Sequence, residues 1–593
     1  MPSIKRILLV IFSVAVLLSF IPSKTKAQTF RAQIAGIVTD PSGAVVPNVK
    51  VIATNVATNE AQSAETNSQG EYRILDLLPG QYKVQAEATG FETFLRGPIT
   101  LQVADIVAVN IKLQLGAVSQ QVQVTSAASL LETQAASLGQ VITQRSIVGL
   151  PLNVRDPLAL LGLSSNVVFG PNFGEGNGQS ADQGRNFFES DFNVGGGRSG
   201  SQEILLDGAP DTTGDTNRGV IDPPVDSVQE FKVQTNSYSA EYGRTTGGVI
   251  NIITKSGTND FHGRLYDFER NSIFDANSFF SNRAGLKKSV FIRHQFGGDA
   301  GGPVIKNRFF FFGDYEGLRQ GFPETQVSTV PTAQQRQGDF SQTFGKNGKL
   351  IQIYDPTSLA TLPNGSRIRS VFSDNKIPST EINPVALKVL ALVPSPNTPG
   401  DPITHQNNFT YDTISTTTTN KFDVRLDGEF SEKLRGFGRV SHQWDARADP
   451  GPFPLPAGGG RVVKDKYDQD MMDFSYIVSS QTVAEFRFSF TRALASQLGL
   501  SNGFNVSSLG IASNFNDVSA PQFPGITVSD AFTAGTESVV QFQPRNSFAW
   551  QGNITHILGS HTLKLGTDIR VLDFNEGQQS PAAGQFNFSR LFT

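Results

Sequence analysis

The chain has 593 residues, with 49 Lys and Arg against 53 Asp and Glu; a net charge of −4 gives no reason to expect nucleic acid as a partner. It contains no Cys, which excludes a disulfide framework, thiolate metal sites and a Cys nucleophile. Charged residues are only 17%, whereas Gly (57) and Phe (45, against 10 Tyr) are abundant, which fits many short strands with an apolar outer face. Chain order opens with Lys5-Arg6, an apolar run from Ile7 to Ile21 and small residues up to Ala27, the pattern of a signal peptide (1–27) cut after Ala27. No later stretch approaches 18 apolar residues, so residence in a membrane must be as a β-barrel.

Residues 28–117 read as a small β-sandwich. Ile34–Val38, Val49–Ala53, Tyr72–Ile74, Tyr82–Ala86 and Ile106–Leu115 alternate in polarity, and turn residues such as Asp40-Pro41-Ser42-Gly43 and Leu78-Pro79-Gly80 separate them. The stretches GIVTDPSGAVVPNVKV, SQGEYRILDLLPGQYKV and ATGFE resemble the carboxypeptidase regulatory-like domain. That resemblance implies a transthyretin-like sandwich with a carbohydrate-binding-like fold, acting as a glycan binder or as a spacer. A peptidase is not expected. None of the six His has Glu three residues on, and none shares a helical turn with another, so no catalytic residue, metal or cofactor is assigned.

Residues 118–258 read as a linker followed by mixed helical and strand signals. Val122-Gln123-Val124-Thr125 is extended and β-prone, suited either to strand addition with a partner or to a last strand of the sandwich. Leu130 to Ile147 has helical spacing, Pro157 turns into Leu158–Leu163, and Gly170–Gly184 is loop-like. Glu203–Leu206 leads into an Asp207-Gly208 turn. Val228–Val233 and Gly248–Lys255 read as strands, the second apolar enough to be buried on both faces. The paired Gly247-Gly248 points to close backbone approach. Two patterns mislead here. Gly195-x-Gly197-x-x-Gly200 is followed by a strand rather than a helix, and Gly197–Ser201 fails the nucleophile-elbow pattern at its last position. Tyr242-Gly243, Gly247 to Lys255 with Asn251, and Gly257 resemble the end of the plug of TonB-dependent outer-membrane receptors. Val122 to Thr125 then resembles the TonB box.

Residues 259–593 repeat hairpins with one apolar face. Phe422, Val424 and Leu426 alternate with Asp423, Arg425 and Asp427, and Ala484, Phe486, Phe488 and Phe490 alternate with Glu485, Arg487 and Ser489. A soluble sandwich would alternate in the same way. Gln295–Gly298, Gly301–Ile305 and Arg308–Gly317 are similar to the early barrel of Oar-like TonB-dependent transporters. Pro323–Gln342 and Pro450–Arg461 are expected to be loops. The resemblance implies a mostly β protein: sandwich, α/β plug, then a transmembrane antiparallel barrel of about 22 strands, for which 259–593 is short of the roughly 450 residues needed. Gln585 to Thr593 would begin a further strand of a barrel that is only partly contained here. The implied protein sits in the outer membrane with its N-terminal domain in the periplasm. Its partners are the inner-membrane TonB complex, outer-membrane lipid and an extracellular siderophore, oligosaccharide or peptide, with substrate-binding residues unknown. The rival reading is a surface binding or adhesion protein that does not transport.

Overall fold

The computed structural model describes residues 31–116, 121–124, 138–152, 155–169 and 192–589, except 199, 216, 278, 284–287, 289, 516, 530, 536–538 and 560. The expected signal peptide, Thr125, the loop Gly170–Gly184 and the last four residues lie outside the described residues.

The N-terminal body is a two-sheet sandwich of β1 (Ala32–Thr39), β2 (Lys50–Asn55), β3 (Ala61–Glu65), β4 (Glu71–Leu77), β5 (Gly80–Glu87), β6 (Thr93–Leu101), β7 (Ile106–Ala108), β8 (Ile111–Lys112) and β9 (Gln121–Val124). One sheet runs β3-β2-β5-β6-β9, and the other runs β4-β1-β7 with β8 also on β1. Alternation does the sorting: Val49, Val51 and Ala53 from one edge of the pattern and Tyr82, Val84 and Ala86 from another all turn inward to one core. The single strand expected over Ile106–Leu115 is broken into β7 and β8. At the break the Asn110 side chain accepts from Ile37 N (3.1 Å), taking over one ladder bond.

The second body packs a five-stranded sheet, β10-β15-β16-β13-β14, with short helical pieces. Its strands are β10 (Leu138–Thr143), β11 (Val167–Phe169), β12 (Phe192–Val194), β13 (Glu203–Leu206), β14 (Ala209–Pro210), β15 (Val228–Asn236) and β16 (Val249–Thr254), with β11 and β12 a separate pair. The helix read over Leu130–Ile147 is corrected. Residues 130–137 lie outside the described residues; of the described part, Leu138–Thr143 is a strand that satisfies the backbone of one edge of β15, and Gln144–Gly149 is helical. Leu158–Leu163 lies in a 3₁₀ turn, Pro157–Leu163, capped by Asp156 through Leu158 N (2.8 Å). All six residues of β16 are buried, between β15 on one side and β13 on the other.

The third body is a ten-stranded antiparallel sheet, nine strands in sequence order and a short one, Gly577–Gln579, paired with the start of the eighth. The nine are β17 (His262–Asn271), β18 (Ile292–Ile305), β19 (Phe309–Ser328), β22 (Phe409–Ser431), β23 (Leu434–Pro450), β24 (Gly460–Ser479), β25 (Thr482–Gly499), β28 (Val540–Leu558) and β29 (His561–Phe574). The sheet wraps around the second body and is not closed: β17 and β29 are its edges. Its faces sort by chemistry. Asp423 and Arg425 are 3% exposed toward the interior, whereas Val424 (44%) and Leu426 (55%) face out. Tight turns lie at one end, as at Gly559 (φ 59°), and long loops at the other.

Those loops fold together. They contain β20 (Ala360–Thr361), β21 (Arg367–Ile368), β26 (Gly525–Val528), β27 (Phe532–Ala534), β30 (Gly577–Gln579) and β31 (Gln585–Phe588). Val330, Val389, Phe409, Phe453, Phe523 and Ile526 share a core of their own there. Three expectations change as a result. Pro323–Ser328 continues β19, paired with residues 409–414. Pro450 and Arg461 belong to β23 and β24, leaving only 451–459 as loop. Gln585–Phe588 does not start a barrel strand but pairs in parallel with β26 inside this cap.

Candidate functional site: the seam between plug and barrel wall

Two residues join β13 to β14, and both have positive φ, Asp207 at 52° and Gly208 at 78°, as a tight hairpin turn requires. The turn carries Asp207 to the wall. Its fully buried carboxylate accepts from Thr254 N (2.9 Å) and Thr254 Oγ1 (2.8 Å) at the end of β16, and pairs with Arg425 (3.1 Å) and Arg439 (2.8 Å) of the barrel. Gly208 gives its carbonyl to Arg487 Nη1 (3.0 Å), and Pro210 gives its carbonyl to Gln469 Nε2 (3.0 Å). The sequence marked Asp207 as a turn residue; its link to two wall arginines was missed. The signal was the charge at every second place of the barrel strands, which has to meet something inside.

The glycines act as spacers. A Cβ on Gly248 (φ 136°) would lie 2.5 Å from Val194 Cγ1, and one on Gly247 would lie 2.7 Å from Ser201 Oγ. Gly197, from the misleading pattern, has the same role against the Gly247 backbone (2.4 Å). Asn251, fully buried on β16, donates to Tyr242 Oη (3.2 Å), which ties the Tyr242-Gly243 turn back to the sheet. Gly243 is exposed with open space around a Cβ position, so it has no packing role among the described residues. The strip Val122-Gln123-Val124 lies elsewhere. It is in β9, at the edge of the sandwich, parallel to β6 with Gln121 opposite Thr93 and Val124 opposite Arg96.

The seam is largely ionic, apart from a small apolar contact of Ala209 and Ile253 on Phe437 and Met471. Plug-to-wall pairs include Asp222 with Lys421, Glu203 with Arg570 (2.7 Å), Asp215 with Arg545 (2.8 Å) and Glu241 with Lys564 (2.5 Å). Arg155 of the plug pairs with Asp226 (2.6 Å) and approaches Glu316 of the wall (3.6 Å). Burial pushes the plug carboxyls up, Asp156 to about 8 and Asp222 to about 6, although Lys421 beside Asp222 opposes the rise. The plug's apolar core, by contrast, closes on itself. Ile142, Leu161, Phe192, Leu206, Phe231 and Ile252 pack together, and the wall adds only Tyr467 at its margin. The arrangement holds and orients. Among the described residues no group of three or more His, Asp or Glu could hold a metal ion.

Family models match the first and third of these bodies. Residues 253–593 match the outer membrane beta barrel domain family, and residues 33–114 match the carboxypeptidase regulatory-like domain. The TonB-dependent transporter Oar of Myxococcus xanthus is 27% identical over 278 residues, covering 45% of this chain and 25% of that protein. A probable TonB-dependent siderophore receptor, PirA of Acinetobacter baumannii, is 29% identical over 153 residues, 23% of this chain and 18% of that one. The chain therefore spans a quarter or less of the length of these curated relatives in the matched parts. The crystal structure of PirA superposes with a TM-score of 0.41 at 14% identity, covering 75% of this chain and 49% of that chain. The chain belongs to the outer membrane beta barrel domain family and carries a carboxypeptidase regulatory-like domain at residues 33–114, and the curated relatives it resembles are TonB-dependent.

Proposed function

We propose that this protein takes up an extracellular ligand through the barrel, past a plug displaced by force from the inner membrane. The observation that carries the reading is the contrast at the seam: a plug core packed on itself, against a wall met mostly through ion pairs and hydrogen bonds, with one small apolar contact of Ala209 and Ile253 on Phe437 and Met471. Separating apolar surfaces would cost about 25 cal/mol per Å² exposed, whereas polar partners exchange their bonds for water at a much smaller net cost. The seam is thus built to open without unfolding the plug. Residues 28–117 would lie in the periplasm, 118–258 would carry the TonB contact and plug, and 259–593 would supply barrel wall.

The contact for TonB is Val122 to Thr125, a β-prone strip immediately ahead of the plug. Among the described residues β9 is the edge strand of its sheet, where a partner strand could add. The named relatives include a siderophore receptor, so ferric siderophores head the ligand classes, before oligosaccharides and peptides. The protein performs no covalent chemistry in this role. Energised uptake separates it from the adhesion reading. Labelled ligands of the three classes are offered to cells making the full-length protein. Uptake that stops when the proton gradient is collapsed, with surface binding unchanged, supports import; binding without any uptake leaves the adhesion reading.

A further inference from the structure

The sandwich does not hang free of the barrel. Arg31, 4% exposed, pairs with Asp76 of the sandwich (3.1 Å) and with Asp473 of barrel strand β24 (2.5 Å). Asp473, fully buried, pairs in turn with Arg487 (2.6 Å), whose other nitrogen donates to Gly208 O of the plug (3.0 Å). One buried series of charges thus runs from sandwich to wall to plug. A second tie joins Glu60 of the sandwich to Arg435 of the wall (2.8 Å), with Arg435 also donating to Ala61 O (2.8 Å). On the plug side, Lys232 of β15 reaches Asp105 (3.4 Å) and Ala104 O (3.4 Å), and Glu230 accepts from Val103 N. Val103 and Ala104 complete an apolar contact with Ala209 and Ile253 of the plug and Phe437 and Met471 of the wall.

We propose that the sandwich is a latch: docked, it fastens the plug to the wall, and it has to leave before the plug can move. This rests on the reading that the plug is displaced, but the docking itself does not. The charges suit a reversible contact. Undocking splits the series into Arg31 with Asp76 on the sandwich and Asp473 with Arg487 on the wall. Each half of that series is neutral and keeps a paired charge, while the Glu60–Arg435 and Asp105–Lys232 pairs are the ones that undocking separates. The strip assigned to TonB is a strand of this same body, so a pull on β9 would load the latch before the plug.

The chain has no Cys, so a single introduced thiol reports cleanly. Ala104→Cys on the sandwich and, separately, Ala209→Cys on the plug are labelled with a maleimide in the full chain in outer-membrane vesicles. Both thiols should react slowly. Adding Arg31→Ala, or Arg435→Glu, should raise both rates by about tenfold or more. Glu60→Arg added to Arg435→Glu restores the pair with its charges exchanged and should return both rates to the slow value; it keeps the test valid if Arg31→Ala fails to assemble. Rates that ignore all of these changes would show that the sandwich does not dock. Opening at Ala104→Cys without opening at Ala209→Cys would show docking without a hold on the plug, and would overturn the latch. Neither readout needs a ligand or TonB, so failure of the import reading leaves the result interpretable.

Discussion

Asp207 is where the plug's own turn and the wall's charge meet, and its neighbours set what its loss would do. Asp207→Ala takes one carboxylate from Arg425 and Arg439, leaving them Asp427 (2.8 Å) and Asp423 (3.7 Å), and removes the acceptor for Thr254, a change worth about 1–3 kcal/mol. Thermal unfolding of the purified protein should show an earlier transition; an unchanged melting curve would mean the arginines are satisfied without it. Glu230 gives a pH dependence. Burial, assisted by Asp105, pushes its carboxyl up to about 7, against the opposing pull of Val103 N and Lys232. A carboxyl raised by docking favours contact while it is protonated, so its contribution is present at low pH and is lost as pH rises through about 7. With the Ala104→Cys reporter, the advantage of Glu230→Gln over Glu230 should therefore widen between about pH 5.5 and pH 8. A constant ratio would remove Glu230 from the contact. Glu60 and Asp76, also raised by burial, are common to both proteins and cancel in that ratio.

The elements show what a sequence makes legible. Strands with one buried and one wet or lipid-facing side were readable, because a period of two writes burial directly into residue type, as at Val424 and Arg425. So was β16, whose two buried faces demand a continuous β-branched run. Leu138–Thr143 was misread as helix, because its pairing with β15 is a tertiary fact that local spacing does not carry. Gly248 tests the plug's construction. Gly248→Val would force a side chain to a φ of 136° and against Val194, at a cost of about 1–3 kcal/mol or more, and the plug should become sensitive to limited proteolysis. Protection equal to the parent's would mean the close approach is not needed. In β9, Val124→Pro removes a backbone donor and fixes φ, so strand addition should fail. Uptake by the full-length protein should be lost while surface binding persists. Undiminished uptake would leave β9 as a sandwich strand alone.

At the scale of the whole molecule, three bodies with separate main cores meet mostly through charge, with one small apolar cluster shared among them. The order of those bodies could be read along the chain from turn spacing and polarity, but their docking could not. Arg31 and Asp473 stand 442 positions apart, and nothing near either residue names the other. The folded loop cap was hidden for a related reason, since Phe453, Phe523 and Val330 come from three separate loops that local pattern reads as polar connections. The central claim is that the plug must part from the wall for ligand to pass. The pair Asp222 and Lys421 lies on that seam, and these 593 residues contain no Cys. The decisive experiment replaces both with Cys in the full-length protein, bridges them with a short reducible crosslinker, and follows uptake of labelled ferric siderophore, oligosaccharide or peptide. Uptake should cease in the bridged protein and resume on reduction, with surface binding constant throughout. Uptake that continues through a quantitatively bridged protein would contradict the displacement of the plug.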